Sequence, residues 1–170
     1  MLACSAAFST IAMGADAMES EAVFQVLSNA KTQAFQLKED AERLESFTRS
    51  SASWASHKDA VNMIKDDVNA MGRLLAKLQD NRPGAASWQQ SAIDRVTPVA
   101  QELATNTTAA IERLNRNPQA LNTPDYQNYL EAIVDSANNL ASTITNLVDY
   151  GKTKQRLDRL ASKLELPATR

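Results

Sequence analysis

Apolar residues recur along this chain at alternating steps of three and four, the spacing that lines one face of an α-helix. The first such stripe, Val23, Leu27, Ala30, Ala34, Leu37, Ala41 and Leu44, lies in a pattern running from Glu19 to Phe47, and the opposite side carries Lys31, Lys38, Asp40, Glu42, Arg43 and Glu45. A second stripe, Trp54, His57, Val61, Ile64, Val68, Met71, Leu75 and Leu78, keeps strict heptad spacing. That regularity predicts packing at a shallow crossing angle against near-parallel or antiparallel neighbours. A third follows through Trp88, Ala92, Val96, Val99, Leu103, Thr107, Ala110 and Leu114. The fourth comprises Tyr126, Leu130, Ile133, Ala137, Leu140, Ile144 and Leu147, and is expected to continue beyond Gly151 through Leu157, Leu160 and Leu164 until Pro167 stops it.

Between the stripes the chain is punctuated. Hydroxyl side chains over Thr48–Ser53 compete for backbone hydrogen bonds and favour a turn, with Ser53, or Ser56 backed by Asp59, as the cap of the second helix. Asn81-Arg82-Pro83-Gly84 predicts a reversal, because proline cannot continue the helical ladder and glycine accepts positive φ. Ser87 with Gln90 three residues later reads as a capping box for the third helix, which Pro98 should kink near Asp94. Asn115–Asn122 has a loop composition, and Thr123-Pro124-Asp125 supplies a cap, a first-turn proline and an acid to start the last helix. Gly151, read as an exposed helical position, marks a place for a bend. Four one-sided helices on short connections predict an all-α fold, an antiparallel up-down-up-down four-helix bundle with long helices.

Composition adds bounds to this picture. The chain has 170 residues, enough for one domain, and its 4 glycines and 5 prolines leave few places to turn. With a formal net charge of -2 and the two signs interleaved, no continuous basic face is available to neutralise phosphates, so nucleic acid is not an expected partner. Residues 1–17 differ from the rest: a weakly apolar run without charge before Asp16 ends in Ala15-Asp16-Ala17, the small-x-small pattern a signal peptidase reads. The expectation is a signal peptide over 1–17, cut before Met18, and a single helical domain over 18–170 that is periplasmic or secreted. The run lacks the Lys or Arg that opens such peptides, as it would if the true start lay upstream of Met1. The one cysteine, Cys4, lies in this segment, so the mature chain would carry no disulfide, and it would carry no transmembrane helix.

Chemistry is sparse. His57 is the only histidine, and without Glu-x-x-His the chain lacks the mark of a di-metal bundle. Covalent haem attachment needs Cys-x-x-Cys-His. A non-covalent haem on His57 would draw on Met63 or Met71, which share its helix, although axial ligands stand on opposite sides of the iron. His57 therefore reads as a stripe-edge residue packed near Trp54 with a local hydrogen bond. Gly151-Lys152-Thr153 lacks the upstream glycine of a phosphate loop, since position 146 is Asn, and no serine sits in a nucleophile elbow. The acid pairs Glu39-Asp40 and Asp66-Asp67 are expected on outward faces beside Lys38 and Lys65, forming no buried carboxylate dyad. No catalytic, metal or cofactor residue is assigned. Trp54 and Trp88 are expected to plug the bundle ends, and Leu157, Leu160 and Leu164 to overhang a shorter neighbour as a docking or dimer surface.

The segments Glu45-Ser46-Phe47-Thr48-Arg49-Ser50, Ser53-Trp54 with His57, Trp88-Gln89 with Ala92-Ile93-Asp94-Arg95, and Asp149-Tyr150-Gly151-Lys152-Thr153-Lys154 resemble those of exported helical-bundle proteins of unknown function from acidobacterial soil bacteria. The resemblance implies export and transfers no activity. The expected function is a non-enzymatic exported bundle that binds another protein or an envelope component, through contacts drawn from Trp54, His57, Trp88, Leu157, Leu160 and Leu164. The alternative is a small-ligand or haem carrier using the core near His57, and a homodimer is compatible with either.

Overall fold

The computed structural model describes residues 19–50 and 52–164. Residues 1–17, with the expected signal peptide and Cys4, lie outside the described residues, as does Pro167. Four long helices follow in order: α1 (Glu21–Thr48), α2 (Trp54–Asn81), α3 (Ser87–Arg116) and α4 (Pro124–Lys163). Single 3-10 segments at Arg82–Gly84 and Pro118–Asn122 make the second and third connections, and no strand occurs among the described residues. Each helix packs against its two neighbours in a ring, α1 on α2 and α4, α3 on α2 and α4. Polar links fix the alternating directions: the start of α1 meets the start of α3 through Ser20 and Gln89, and Arg113 near the end of α3 pairs with Asp125 at the start of α4 at 3.2 Å. This is the up-down-up-down antiparallel four-helix bundle.

The helices begin where capping chemistry allows. Ser20 Oγ accepts from Val23 N, and Ser53 Oγ accepts from Ser56 N at 3.1 Å, each satisfying a first-turn donor with no partner inside the helix. α3 starts differently from the sequence expectation. Its cap is Ala86, and Gln89 Oε1 reaches back to accept from Ala86 N at 3.1 Å, so the Ser87–Gln90 box is one residue out of frame. Gln89 is fully buried because the same amide also ties down Ser20, accepting from its N–H at 2.9 Å and donating to its carbonyl at 2.8 Å. Thr123 stands at the cap of α4, but its hydroxyl donates to the Ala120 carbonyl instead of capping.

The predicted stripes of α1 and α2 form the core: Val23, Leu27, Leu37 and Leu44 are buried with Val61, Ile64, Met71 and Leu78. Burying each large aliphatic side chain stabilises by roughly 1.5–3 kcal/mol. α3 runs unbroken through Pro98, which sits on the exposed side where a lost ladder bond leaves the Asp94 carbonyl to water. α4 likewise runs unbroken through Gly151, and here the expectation of an exposed position is overturned: Gly151 is buried. A Cβ there would come within 2.8 Å of ring atoms of both Phe24 and Trp88, so glycine stands where two aromatic side chains close onto the α4 backbone.

The fourth stripe also divides. Core positions continue from Ile144 to Val148 and Gly151, whereas Leu157, Leu160 and Leu164 are exposed. Thirteen residues separate Ile144 from Leu157, and at about 100° per residue that places Leu157 roughly 140° away from the core direction. The three leucines are therefore not an extension of the core stripe but a second apolar face on the outer side of α4.

Candidate functional site

The expected contact residues fall at opposite ends of the bundle. Trp54 and His57 lie where α1 ends and α2 begins. Trp54 Nε1 donates to the Leu114 carbonyl at 3.2 Å. Residue 118, four positions on from Leu114, is proline with no N–H to close the helical ladder, so the indole replaces that donor. Lys58 Nζ stands 4.8 Å from the centre of the Trp54 ring, a cation–π contact that covers its outer face. Trp54 plugs this end, as expected.

His57 is buried, and its bond is not local. Nδ1 lies 3.2 Å from the Tyr126 hydroxyl of α4, and the imidazole is gripped edge-on by Phe47 and Tyr126 with ring centroids 5.7 Å away on each side. Removal from water favours the neutral ring and lowers its pKa, with the Phe47 backbone opposing. The same burial pushes the Tyr126 phenol up. A neutral imidazole locked to a neutral phenol positions helices. It would have to be turned out of this packing to face a haem, and Met63 is exposed while Met71 is buried in the core.

Trp88 occupies the other end. Its Nε1 donates to Glu19 Oε1 at 2.9 Å, its ring meets Tyr150 edge-on at 5.3 Å, and the same ring covers Gly151. Trp88 and Tyr150 wall one end of an open groove of about 810 Å³ between α3 and α4, continued by Ser91, Asp94, Arg95, Thr143, Asn146 and Leu147. Asp94 is neutralised by Arg82 through two hydrogen bonds of 2.9 and 2.7 Å, which leaves Arg95 as the groove's charge. Thr143, Tyr150, Leu157 and Leu164 stand seven residues apart, so the groove wall and the outer leucines share one heptad line on α4.

That line leaves the bundle body. Lys154 pairs with Glu19 at 3.4 Å, and among the described residues α4 alone continues past this level, for about 13 Å over residues 155–163. Leu157, Leu160 and Leu164 are 51%, 46% and 66% exposed there. Arg156 and Lys163 each precede a leucine of the line, and Lys152 and Arg159 add to a segment whose single acid before Leu164 is Asp158. The overhang is thus an apolar ridge with basic flanks. No helix among the described residues is long and apolar enough to cross a membrane. No family model, curated protein or solved structure matches the chain at a significant level.

Sequence reasoning passed over two features. Tyr150, 53% exposed, joins Trp88 to the leucines, and its signal was the seven-residue step to Leu157. The second overturns the outward placement of one acid in each pair, Asp40 and Asp67, while Glu39 and Asp66 are exposed as expected. Asp40 is buried, and Asp67 faces it across the α1–α2 seam. Gln36 Nε2 donates to Asp40 Oδ2 at 2.9 Å, Arg43 pairs with Asp40 Oδ1, and Gln33 Nε2 donates to Asp67 Oδ1 at 3.0 Å. Asp67 Oδ2 is buried with no partner. Burial, and then the neighbouring Asp40 carboxyl as a hydrogen-bond partner, push the Asp67 carboxyl up to about 6.

Proposed function

We propose that this protein is a non-enzymatic, exported interaction module that seats an acidic amphipathic helix of a partner protein on the outer heptad face of α4. The observation that carries the reading is the single line Tyr150–Leu157–Leu164, with Leu160 beside it, which begins in a groove walled by Trp88 and ends on a helix segment standing clear of the bundle body. A helix laid in such a groove presents anchors at the same three-and-four spacing. Each half-exposed leucine covered by it would contribute about 1 kcal/mol.

Charge selects the partner. Arg156 and Lys163 flank the leucines, so a helix bearing Asp or Glu beside its own apolar stripe is attracted, whereas an antiparallel second copy would set these cations against their equivalents. A protein helix also fits a groove between α3 and α4 better than a flat lipid surface does. Export is supported by Ala15-Asp16-Ala17 and the uncharged run before it, and places the partner in the envelope or outside the cell.

The test uses a fluorescent peptide designed as an amphipathic helix with leucines at heptad positions and glutamates on both flanks, titrated with the full chain. Binding is expected to weaken at least tenfold in the Leu157→Asp/Leu160→Asp double variant, which leaves the core untouched, and to weaken as salt is raised. The same peptide with lysine flanks should bind poorly. Equal binding of both peptides, a wild-type chain already dimeric through these leucines, or retention by anionic vesicles but not by the acidic peptide would each overturn the proposal.

A further inference from the structure

Two carboxyl groups that face each other inside a protein seam cannot both be charged without cost, and one proton held between them removes that cost while adding a hydrogen bond. Asp40 and Asp67 meet the conditions for this arrangement. Asp40 is only 5% exposed and is held in place from its own helix by Gln36 and Arg43, so its charge is already compensated. Asp67 comes from the opposite side of the seam with one oxygen satisfied by Gln33 and the other, Oδ2, shut away from water without a partner. An unpartnered buried carboxylate oxygen is the atom on which a proton has most to gain.

We propose that Asp40 and Asp67 form a shared-proton clasp between α1 and α2, which tightens the bundle in mildly acidic surroundings and slackens when the proton leaves for solvent. The charged neighbours agree with this. On the seam, Asp40 from α1 and Asp66 from α2 both add negative charge near Asp67, and Arg43 is directed to Asp40. On the other side of α2, Lys65 and Glu112 of α3 line a separate cleft. The sign follows from the raised carboxyl value. Asp67 holds its proton more tightly folded than unfolded, so the clasp's contribution is complete below about pH 4 and is lost as pH rises through about 6.

The clasp is tested on the full-length chain by carbon NMR titration of its aspartate carboxyls. Asp67 is expected to titrate near pH 6 with the Asp40 resonance moving in the same step. An Asp67 midpoint below about 4.5, or an Asp40 signal indifferent to that step, would overturn the proposal. Asp67→Asn supplies a fixed amide donor in place of the proton. Its melting temperature should match wild type at or below about pH 4 and exceed it by about 2–4 °C at pH 7.5. Because His57 is common to both proteins its titration cancels, and a difference that does not change with pH would also refute the clasp. Should the variant fail to fold, the wild-type titration alone decides.

Discussion

Two glycines in helices offer the same substitution with opposite expected outcomes. Gly72 in α2 is exposed, and a Cβ there meets nothing within 4 Å, so Gly72→Ala should simply recover the helix-propensity difference of about 1 kcal/mol. At Gly151 the same gain is opposed. The added methyl would stand 2.8 Å from Phe24 Cε2 and 2.8 Å from Trp88 Cη2, closer than carbon atoms tolerate. Neither ring is free to retreat: Phe24 belongs to the core cluster, and Trp88 is held by its bond to Glu19 and its edge contact with Tyr150. Overpacking of this kind costs about 1–3 kcal/mol. Taking about 2 for the clash against about 1 gained, Gly151→Ala should lose about 1 kcal/mol. For a chain of this size each kcal/mol moves the melting temperature by about 2–4 °C, so the two variants should straddle wild type in thermal and urea unfolding followed by circular dichroism. Tryptophan fluorescence should change in Gly151→Ala and stay fixed in Gly72→Ala. If Gly151→Ala were as stabilising as Gly72→Ala, with its tryptophan signal unaltered, the close approach of Phe24 and Trp88 to α4 would be refuted.

Pro98→Ala should stabilise the protein by about 1–3 kcal/mol in the same unfolding assays, because it returns an N–H to the Asp94 carbonyl on an exposed helix face, and an unchanged midpoint would mean that α3 has already compensated the missing bond. His57 should give a pH dependence opposite in sign to that of the Asp40–Asp67 clasp: its folded value is lowered, so its contribution is present above about pH 6.5 and is lost as pH falls below it. On an Asp67→Asn background this loss should be visible between about pH 6.5 and 5 and vanish in a further His57→Phe variant, and a slope surviving that change would assign it to another group.

Most of the fold was legible because burial repeats at the helical period, and a stripe such as Val61–Ile64–Val68–Met71 fits no other element. Features that depend on the relative rotation of two helices were not. Asp40 and Asp67 each stand one residue before a stripe position, Ala41 and Val68, the flank that faces a neighbouring helix in a heptad, yet nothing local says that two such flanks meet. His57 read as a stripe residue with a local bond because its partner, Tyr126, is 69 positions away. The start of α3 was misread by one residue because Gln89 and Gln90 stand side by side, and only burial decides which of them turns back to the backbone. Of the six expected contact residues, Trp54 and His57 are absorbed by packing at one end, while Trp88 joins Leu157, Leu160 and Leu164 at the other.

The division of α4 is the reason the proposed recognition surface lies at that end. A helix that merely closed a bundle would keep its apolar residues in phase with Ile144 and stop near Lys154, where its neighbours stop among the described residues. This one holds its core phase through Val148 and Gly151 and then places three leucines on the opposite side, where no buried position needs them. Exposed leucines at heptad spacing cost solubility and contribute little to folding, and the basic residues beside them offset the first effect without supplying a reason for the second. Gly151 links the two faces. By letting Trp88 lie against the backbone it sets the rotation of α4 at the point where the core face ends, and so where the line Tyr150–Leu157–Leu164 stands relative to Trp88 and the groove. The same substitution that tests the packing therefore bears on recognition: turning α4 at Gly151 should weaken peptide binding even though residue 151 touches no partner.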